Sequence, residues 1–246
     1  RVISAVPKLL RSTRAVLMST HPSPLNYLDI GARDGIPRRW QLLERSGKIA
    51  PVYVEADAEE ANELRKRGRT LCAALGSESG ATVELKITRA PWLTSVLEPM
   101  VEKWPSELAS GCEVVERRQM TLSRLDEIWP AEFGDPHFVK IDTQGYDLEV
   151  LKGFGDLLER VLCLEVEVRI GQQYIDQATA ADIYAFMDER KFDLVGLSSN
   201  GLQADRTMMV FNAFFINSSA QQKSAIKLWK LVNNIGSPGR LKAVGH

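Results

Sequence analysis

Two apolar runs in this chain each end in an aspartate followed by a glycine turn, and that repetition limits the possible folds more than any other feature. The first unit is Tyr27-Leu-Asp-Ile-Gly-Ala-Arg-Asp-Gly35. The second is Phe138-Val-Lys-Ile-Asp-Thr-Gln-Gly-Tyr-Asp-Leu-Glu-Val-Leu-Lys-Gly153. Each begins as a short buried strand and passes into a loop, and in the second an amphipathic helix follows at once. A carboxylate at the carboxyl end of a strand, repeated in one chain, is what an open α/β sheet uses to hold a nucleoside ligand.

The intervening sequence keeps the same rhythm. Strands are expected over 25–30, 51–55 and 70–75, with helices over 37–47 and 58–67 between them. Pro37 suits a first helical turn, and Gly68 closes the second helix. This alternation predicts a parallel sheet with helices on both faces. Residues 76–127 interrupt it with strands over 81–88 and 114–120 and a helix over 91–103. The segment is too short for a core of its own and reads as an insertion over the sheet. A short helix is expected to start within 121–127. The main sheet then resumes with a strand over 138–142 and its helix over 147–158, a strand over 161–168 and a helix over 178–190. Strands over 192–198 and 208–216, joined through Asn200-Gly201, read as an antiparallel hairpin on the sheet edge.

Composition excludes several classes. No apolar run reaches the roughly 18 residues of a membrane span, and the chain opens without the apolar core of a secretory signal. Cys72, Cys112 and Cys163 lack paired spacing, and Cys72 and Cys163 fall in apolar runs that predict small core residues. A reducing cytoplasm is the expected compartment. The net charge is −1, yet residues 1–25 carry +4 and residues 217–246 carry +5 with no acid, so the body between them is acidic at −10. That distribution argues against nucleic acid as partner. The basic ends are a helical extension over 1–24 and an amphipathic tail over 217–246. They leave open a solvated face, peripheral contact with an anionic membrane or partner, and a homo-oligomer. The body, 25–216, is one domain.

The first loop lacks Gly-x-Gly-x-x-Gly and is not followed by the Lys-Ser/Thr of a phosphate-binding loop. A ligand held by amino-acid and ribose parts fits it better than one held by phosphates. Glu55, ending the second strand, is placed to accept hydrogen bonds from two ribose hydroxyls.

These motifs resemble the FkbM family of S-adenosylmethionine-dependent methyltransferases. Asp29-Ile-Gly-Ala-Arg-Asp-Gly resembles that family's Asp-Val-Gly-Ala-Asn-x-Gly. The run from Lys140 to Gly153 resembles its Lys-Ile-Asp-x-Glu-Gly-x-Glu-x-x-Val-Leu-Lys-Gly. Ala74-Leu-Gly-Ser, Thr121-Leu-Ser-Arg-Leu-Asp126 and Leu164-Glu-Val-Glu167 fall in the family's order. The resemblance implies a Rossmann-like class I fold with a mostly parallel seven-stranded sheet and an antiparallel edge hairpin. It also implies that Asp29, Gly31, Ala32, Arg33 and Gly35 surround the methionine part of S-adenosylmethionine. Glu55 would bind the ribose, with Ala56 and Asp57 beside it, Ala74 and Leu75 would flank the adenine, and Asp142 would sit next to the transferred methyl. The expected acceptor is a hydroxyl of a sugar, glycolipid or secondary metabolite, that is, a small-molecule or glycan acceptor. Arg33, Gln144 and Asp147 depart from the family's Asn, Glu and Glu.

For proton transfer, histidine is a poor candidate, since His137 begins its strand and His21 and His246 lie in the ends. Glu165 and Glu167 lie two apart on one strand face. Asp142 and Glu165, assisted by Glu167, are expected to position or deprotonate the acceptor hydroxyl; the structural alternative pairs the glutamates with Arg169 or Lys140. Oxygen ligands there would suit Mg²⁺, although no complete ligand set is visible, so a divalent metal stays open. Trp92, Trp104 and Tyr174 are loop anchors or stacking surfaces. Two rivals remain: a non-catalytic methyltransferase-like binding module and a nicotinamide-dependent oxidoreductase.

Overall fold

The structure is a computed structural model that describes residues 24–199 and 210–235. The expected helix near the N-terminus, the Asn200-Gly201 turn and residues 236–246 of the tail lie outside the described residues. The strands are β1 (Leu25–Ile30), β2 (Ile49–Glu55), β3 (Arg69–Cys72), β4 (Ala74–Leu75), β5 (Thr82–Thr88), β6 (Val114–Ser123), β7 (Phe138–Ile141), β8 (Cys163–Arg169), β9 (Phe192–Ser199) and β10 (Val210–Asn217). Seven of them form one sheet in the order β3-β2-β1-β7-β8-β10-β9. The first five in that order run parallel, and β10 is antiparallel to both β8 and β9. This is the mostly parallel seven-stranded sheet, antiparallel at one edge, that the family resemblance implies.

The two-residue period of the strands sorts side chains into two cores. On one face Leu28, Ile30, Val52, Val54, Val139, Ile141, Leu164 and Val166 pack with residues of the helices after β7 and β8. On the other, Tyr27, Tyr53, Phe138 and Phe214 pack with Trp40, Leu43, Leu64 and Trp229. Among the helices are α1 (Ala58–Arg65), α2 (Asp147–Lys152), α3 (Ala180–Glu189) and α4 (Lys223–Val232). Asp57 caps α1 by accepting from the Glu59 amide at 2.9 Å, and Thr179 and Asp182 form a reciprocal capping box on α3. The basic, amphipathic α4 buries Ala225, Leu228 and Trp229 in the second core. No helix among the described residues is long and apolar enough to cross a membrane.

Three expectations need correction. The strand expected over 70–75 is two strands: the ladder with β2 ends at Cys72, and Ala74–Leu75 pairs instead with β6 in a separate three-stranded sheet, β4-β6-β5. Gly76 runs so close to Gly153 that a Cβ on Gly153 would lie 2.2 Å from the Gly76 oxygen. Cys72, on the edge strand, is exposed rather than part of the core, whereas Cys112 and Cys163 are buried. Residues 91–103 are not one helix but two single turns, Pro91–Leu93 and Val101–Lys103. Between them Ser95 bridges Lys86 and Pro99 bridges Tyr174, and Pro99 has no amide hydrogen to continue a helix.

Candidate active site

The carboxyl ends of β1, β2, β7 and β8 open into a cavity of about 410 Å³, within the usual size of a small-molecule site. The crossing between β1 and β7 is tight. The Asp142 amide donates to the Ile30 carbonyl at 3.1 Å, and Gly31, with φ of 74°, leaves no room for a Cβ, which would lie 2.0 Å from the Asp142 oxygen. Asp29, Gly31, Ala32, Arg33, Gly35, Glu55, Ala56, Ala74, Leu75 and Asp142 all line this cavity.

Asp57 does not line it; its side chain is occupied as the α1 cap. Glu55 accepts from the Asp57 amide at 3.0 Å, and burial pushes its carboxyl above the ordinary value. Arg33 lines the cavity but does not extend freely into solvent. It is held on α1 by Glu60 at 2.8 Å, with Asp57 at 3.8 Å.

Asp142 sits in a network of opposed charges. Lys140 Nζ lies 3.1 Å from Asp142 and 3.8 Å from Asp29. Burial favours the neutral acid at Asp142, but Lys140 and Arg169 outweigh it and leave the carboxyl below its usual range. Asp29 responds in the opposite sense: burial, only partly offset by Lys140, pushes it up to about 7. Glu167 is likewise pushed up to about 7, by burial and then by the Asp142 carboxylate. The pair is therefore split into one ionised group and one that titrates near neutrality.

Gln144 joins the two, a role the sequence did not disclose. Its Nε2 donates to Asp142 at 2.8 Å and to Glu167 at 3.2 Å, while its Oε1 accepts from Arg169 at 2.8 Å and from the Tyr174 hydroxyl at 3.2 Å. Arg169 also pairs with Glu167. Asp147, the other departure from the family motif, is structural. It accepts from the Thr143 amide and hydroxyl and from the Gly145 amide at 2.9, 3.1 and 3.1 Å, fixing the turn that presents Gln144.

Glu165 and Glu167 do share a face, as their spacing requires, yet only Glu167 reaches the cavity. Glu165 lies one pleat deeper, level with Lys140, and is paired with Arg39, which also donates to Asn233 at 2.8 Å. The expected catalytic role of Glu165 is therefore not supported by its position. Of the aromatics, Trp104 and Tyr174 are buried against each other at 5.7 Å, anchoring the 91–104 segment over the sheet. Trp92 stays 62% exposed at the cavity. His137 Nδ1 accepts the Asn26 amide at the far end of the sheet. Among the described residues no group of three or more His, Cys, Asp or Glu is arranged to hold a metal ion.

The two raised carboxyls, Asp29 and Glu167, have a consequence for stability. Asp29 is raised from 3.8 to about 7 on folding, so between those values the folded state holds a proton that the unfolded chain releases. Its contribution is complete below the unfolded value and is lost as pH rises through 7. Glu167 acts in the same direction. Ligand-free protein is expected to lose thermal stability between pH 5 and 8, and Asp29→Asn to flatten that decline; melting curves across the range measure it, and an unchanged slope in the variant would refute the assignment.

Comparison with known proteins places this geometry. Residues 29–194 match the Methyltransferase FkbM domain family. No curated protein matches the chain. Among solved structures, magnesium protoporphyrin IX methyltransferase (ChlM) from Synechocystis PCC 6803 with bound SAM is 10% identical over 89% of this chain and 86% of that one, with a TM-score of 0.46. The Burkholderia thailandensis 1,6-didemethyltoxoflavin-N1-methyltransferase is 10% identical over 87% and 81%, with a TM-score of 0.36. An uncharacterized protein from Listeria monocytogenes serotype 4b is 9% identical over 87% and 72%, with a TM-score of 0.39. The family match spans most of the chain, from the Asp29 loop through the Lys140–Gly153 motif and into β9, and the chain belongs to the FkbM methyltransferase family.

Proposed function

We propose that this protein transfers the methyl group of S-adenosylmethionine to a hydroxyl oxygen of a small hydroxylated acceptor, such as a sugar, glycolipid or secondary metabolite. The observation that carries the reading is the Asp142–Gln144–Glu167 cluster, which puts a carboxyl titrating near neutrality at the end of the cavity beyond the glycine loop.

The residues present fit the cofactor. Asp29 Oδ1 is buried without a hydrogen-bond partner, which suits the ammonium of an amino-acid group. Glu55 ends β2 at the cavity, where a ribose would lie. When bound, the cofactor supplies an activated sulfonium methyl. The protein's part is to align an acceptor oxygen with that methyl and to exclude water. With the cofactor bound, Asp142, kept ionised by Lys140, would orient the acceptor hydroxyl, and Glu167 would accept its proton when the methyl is transferred. A base with a value near 7 is matched to work at neutral pH.

The test is calorimetric titration with S-adenosylhomocysteine on wild type and Glu55→Ala. Losing a carboxylate that accepts two ribose hydroxyls is expected to weaken binding by about 2–3 kcal/mol, on the order of a hundredfold. Equal affinity in the two proteins would remove the cofactor assignment. Turnover with labelled methyl donor on a panel of hydroxylated and amine acceptors then reads the transferred-to atom directly.

A further inference from the structure

Five buried side-chain polar atoms among the described residues lack a hydrogen-bond partner, and two belong to residues lining the cavity: Asp29 Oδ1 and Arg169 Nη1. Asp29 is accounted for at the cofactor end. Arg169 stands at the other end. Along the sheet order, Ala74 and Leu75 follow β3, Glu55 ends β2, Asp29 is the penultimate residue of β1 and Asp142 follows β7. A cofactor laid adenine, ribose, amino acid and methyl along that line leaves the end of β8, with Glu167 and Arg169, for the acceptor.

Arg169 is 4% exposed and already rigid. Its Nε donates to Gln173 at 2.7 Å, its Nη2 to Gln144 at 2.8 Å, and the guanidinium lies 5.6 Å from the centre of the Tyr174 ring. A buried cationic donor left unpaired is costly, and a guanidinium edge is suited to carboxylate. A dianionic group is disfavoured by Asp142 and Glu167 nearby. Trp92, exposed on the cavity lining, offers a ring face for stacking.

We propose that Arg169 selects sugar-acid acceptors, its unpaired Nη1 hydrogen taking the carboxylate of a uronic acid whose ring lies toward Trp92 and whose neighbouring hydroxyl is methylated. This rests on the methyltransferase reading above. It also accounts for charge during transfer: once Glu167 has taken the hydroxyl proton, the acceptor carboxylate remains as the partner of Arg169.

The experiment titrates the full chain, loaded with S-adenosylhomocysteine, with methyl glucuronoside and methyl galacturonoside and with the matching neutral glucoside and galactoside. Wild type is expected to prefer at least one uronoside by about tenfold or more, the effect of one charge-assisted hydrogen bond. Arg169→Gln is expected to erase that preference while binding S-adenosylhomocysteine as wild type does. Arg169→Lys keeps the charge opposite Glu167 and loses the planar edge; should the glutamine variant fail to fold, its preference is expected to fall below about threefold. Equal affinity for acid and neutral sugars, no uronoside binding by the loaded wild type, or a preference that survives both substitutions overturns the inference alone. Failure of wild type to bind S-adenosylhomocysteine would overturn the methyltransferase reading beneath it as well.

Discussion

Gly31→Ala is expected to lower stability by about 3 kcal/mol or more and to abolish cofactor binding in whatever fraction still folds. Two costs add. A left-handed φ of 74° costs a non-glycine residue about 1–2 kcal/mol. The added methyl would also lie 2.0 Å from the Asp142 oxygen, and overpacking against backbone costs roughly 1–3 kcal/mol or more. Gly47 separates the two terms: its φ is 67° and an added methyl there would meet nothing within 4 Å, so Gly47→Ala should show the conformational cost alone. Chemical denaturation of both variants tests this. A Gly31→Ala loss no larger than that of Gly47→Ala would mean that the β1–β7 crossing opens freely and does not fix Asp142 at the cavity.

The comparison of sequence with structure divides along a physical line. β1, β2, β7 and β8 were legible because each is a local apolar run ending at a polar or glycine turn, and the cavity residues at their ends came with them. What failed was set by distant chain. The run from Leu71 to Leu75 is apolar throughout, and nothing local marks the point where its ladder passes from β2 to β6. The period of two correctly put Glu165 and Glu167 on one face. Depth along β8 then decided their fates: Glu165 is level with Lys140 and paired with Arg39, 126 positions away, while Glu167 reaches the cavity. A cation inside an apolar strand, as at Lys140 and Arg169, was the available signal for the site's basic partners, because a buried charge is retained only where it is paired or used. Gln144 gave no such signal. It stands where the family has an acid, but among Asp142, Glu167, Arg169 and Tyr174 the position needs a donor and an acceptor together, which an amide supplies and an ionised carboxylate does not. Its φ of 54° is strain held by the Asp147 anchor beneath it.

Glu167→Gln is expected to lower turnover on the order of a hundredfold, the low end of what a general base contributes, because positioning of an activated methyl carries most of the rate. Its pH dependence identifies the cause. With Glu167 raised to about 7 and Asp142 held low, kcat in wild type should rise with pH through 7 as the Glu167 carboxylate forms, and the variant should lose that limb while keeping its affinity for S-adenosylhomocysteine. Gln144→Glu acts on the same step from the other side. It puts a third carboxylate between Asp142 and Glu167 and removes the amide hydrogens that now bond both. Like charges at such distances disfavour ionisation, so the limb should move to higher pH and the maximal rate should return only in more alkaline buffer. A wild-type profile without an ascending limb, or one that Glu167→Gln leaves in place, assigns the proton to another acceptor and leaves Glu167 as the counter-ion of Arg169. A limb lost in Glu167→Gln and displaced upward in Gln144→Glu identifies the cluster as the titrating unit, because a merely structural pair would change the rate equally at every pH.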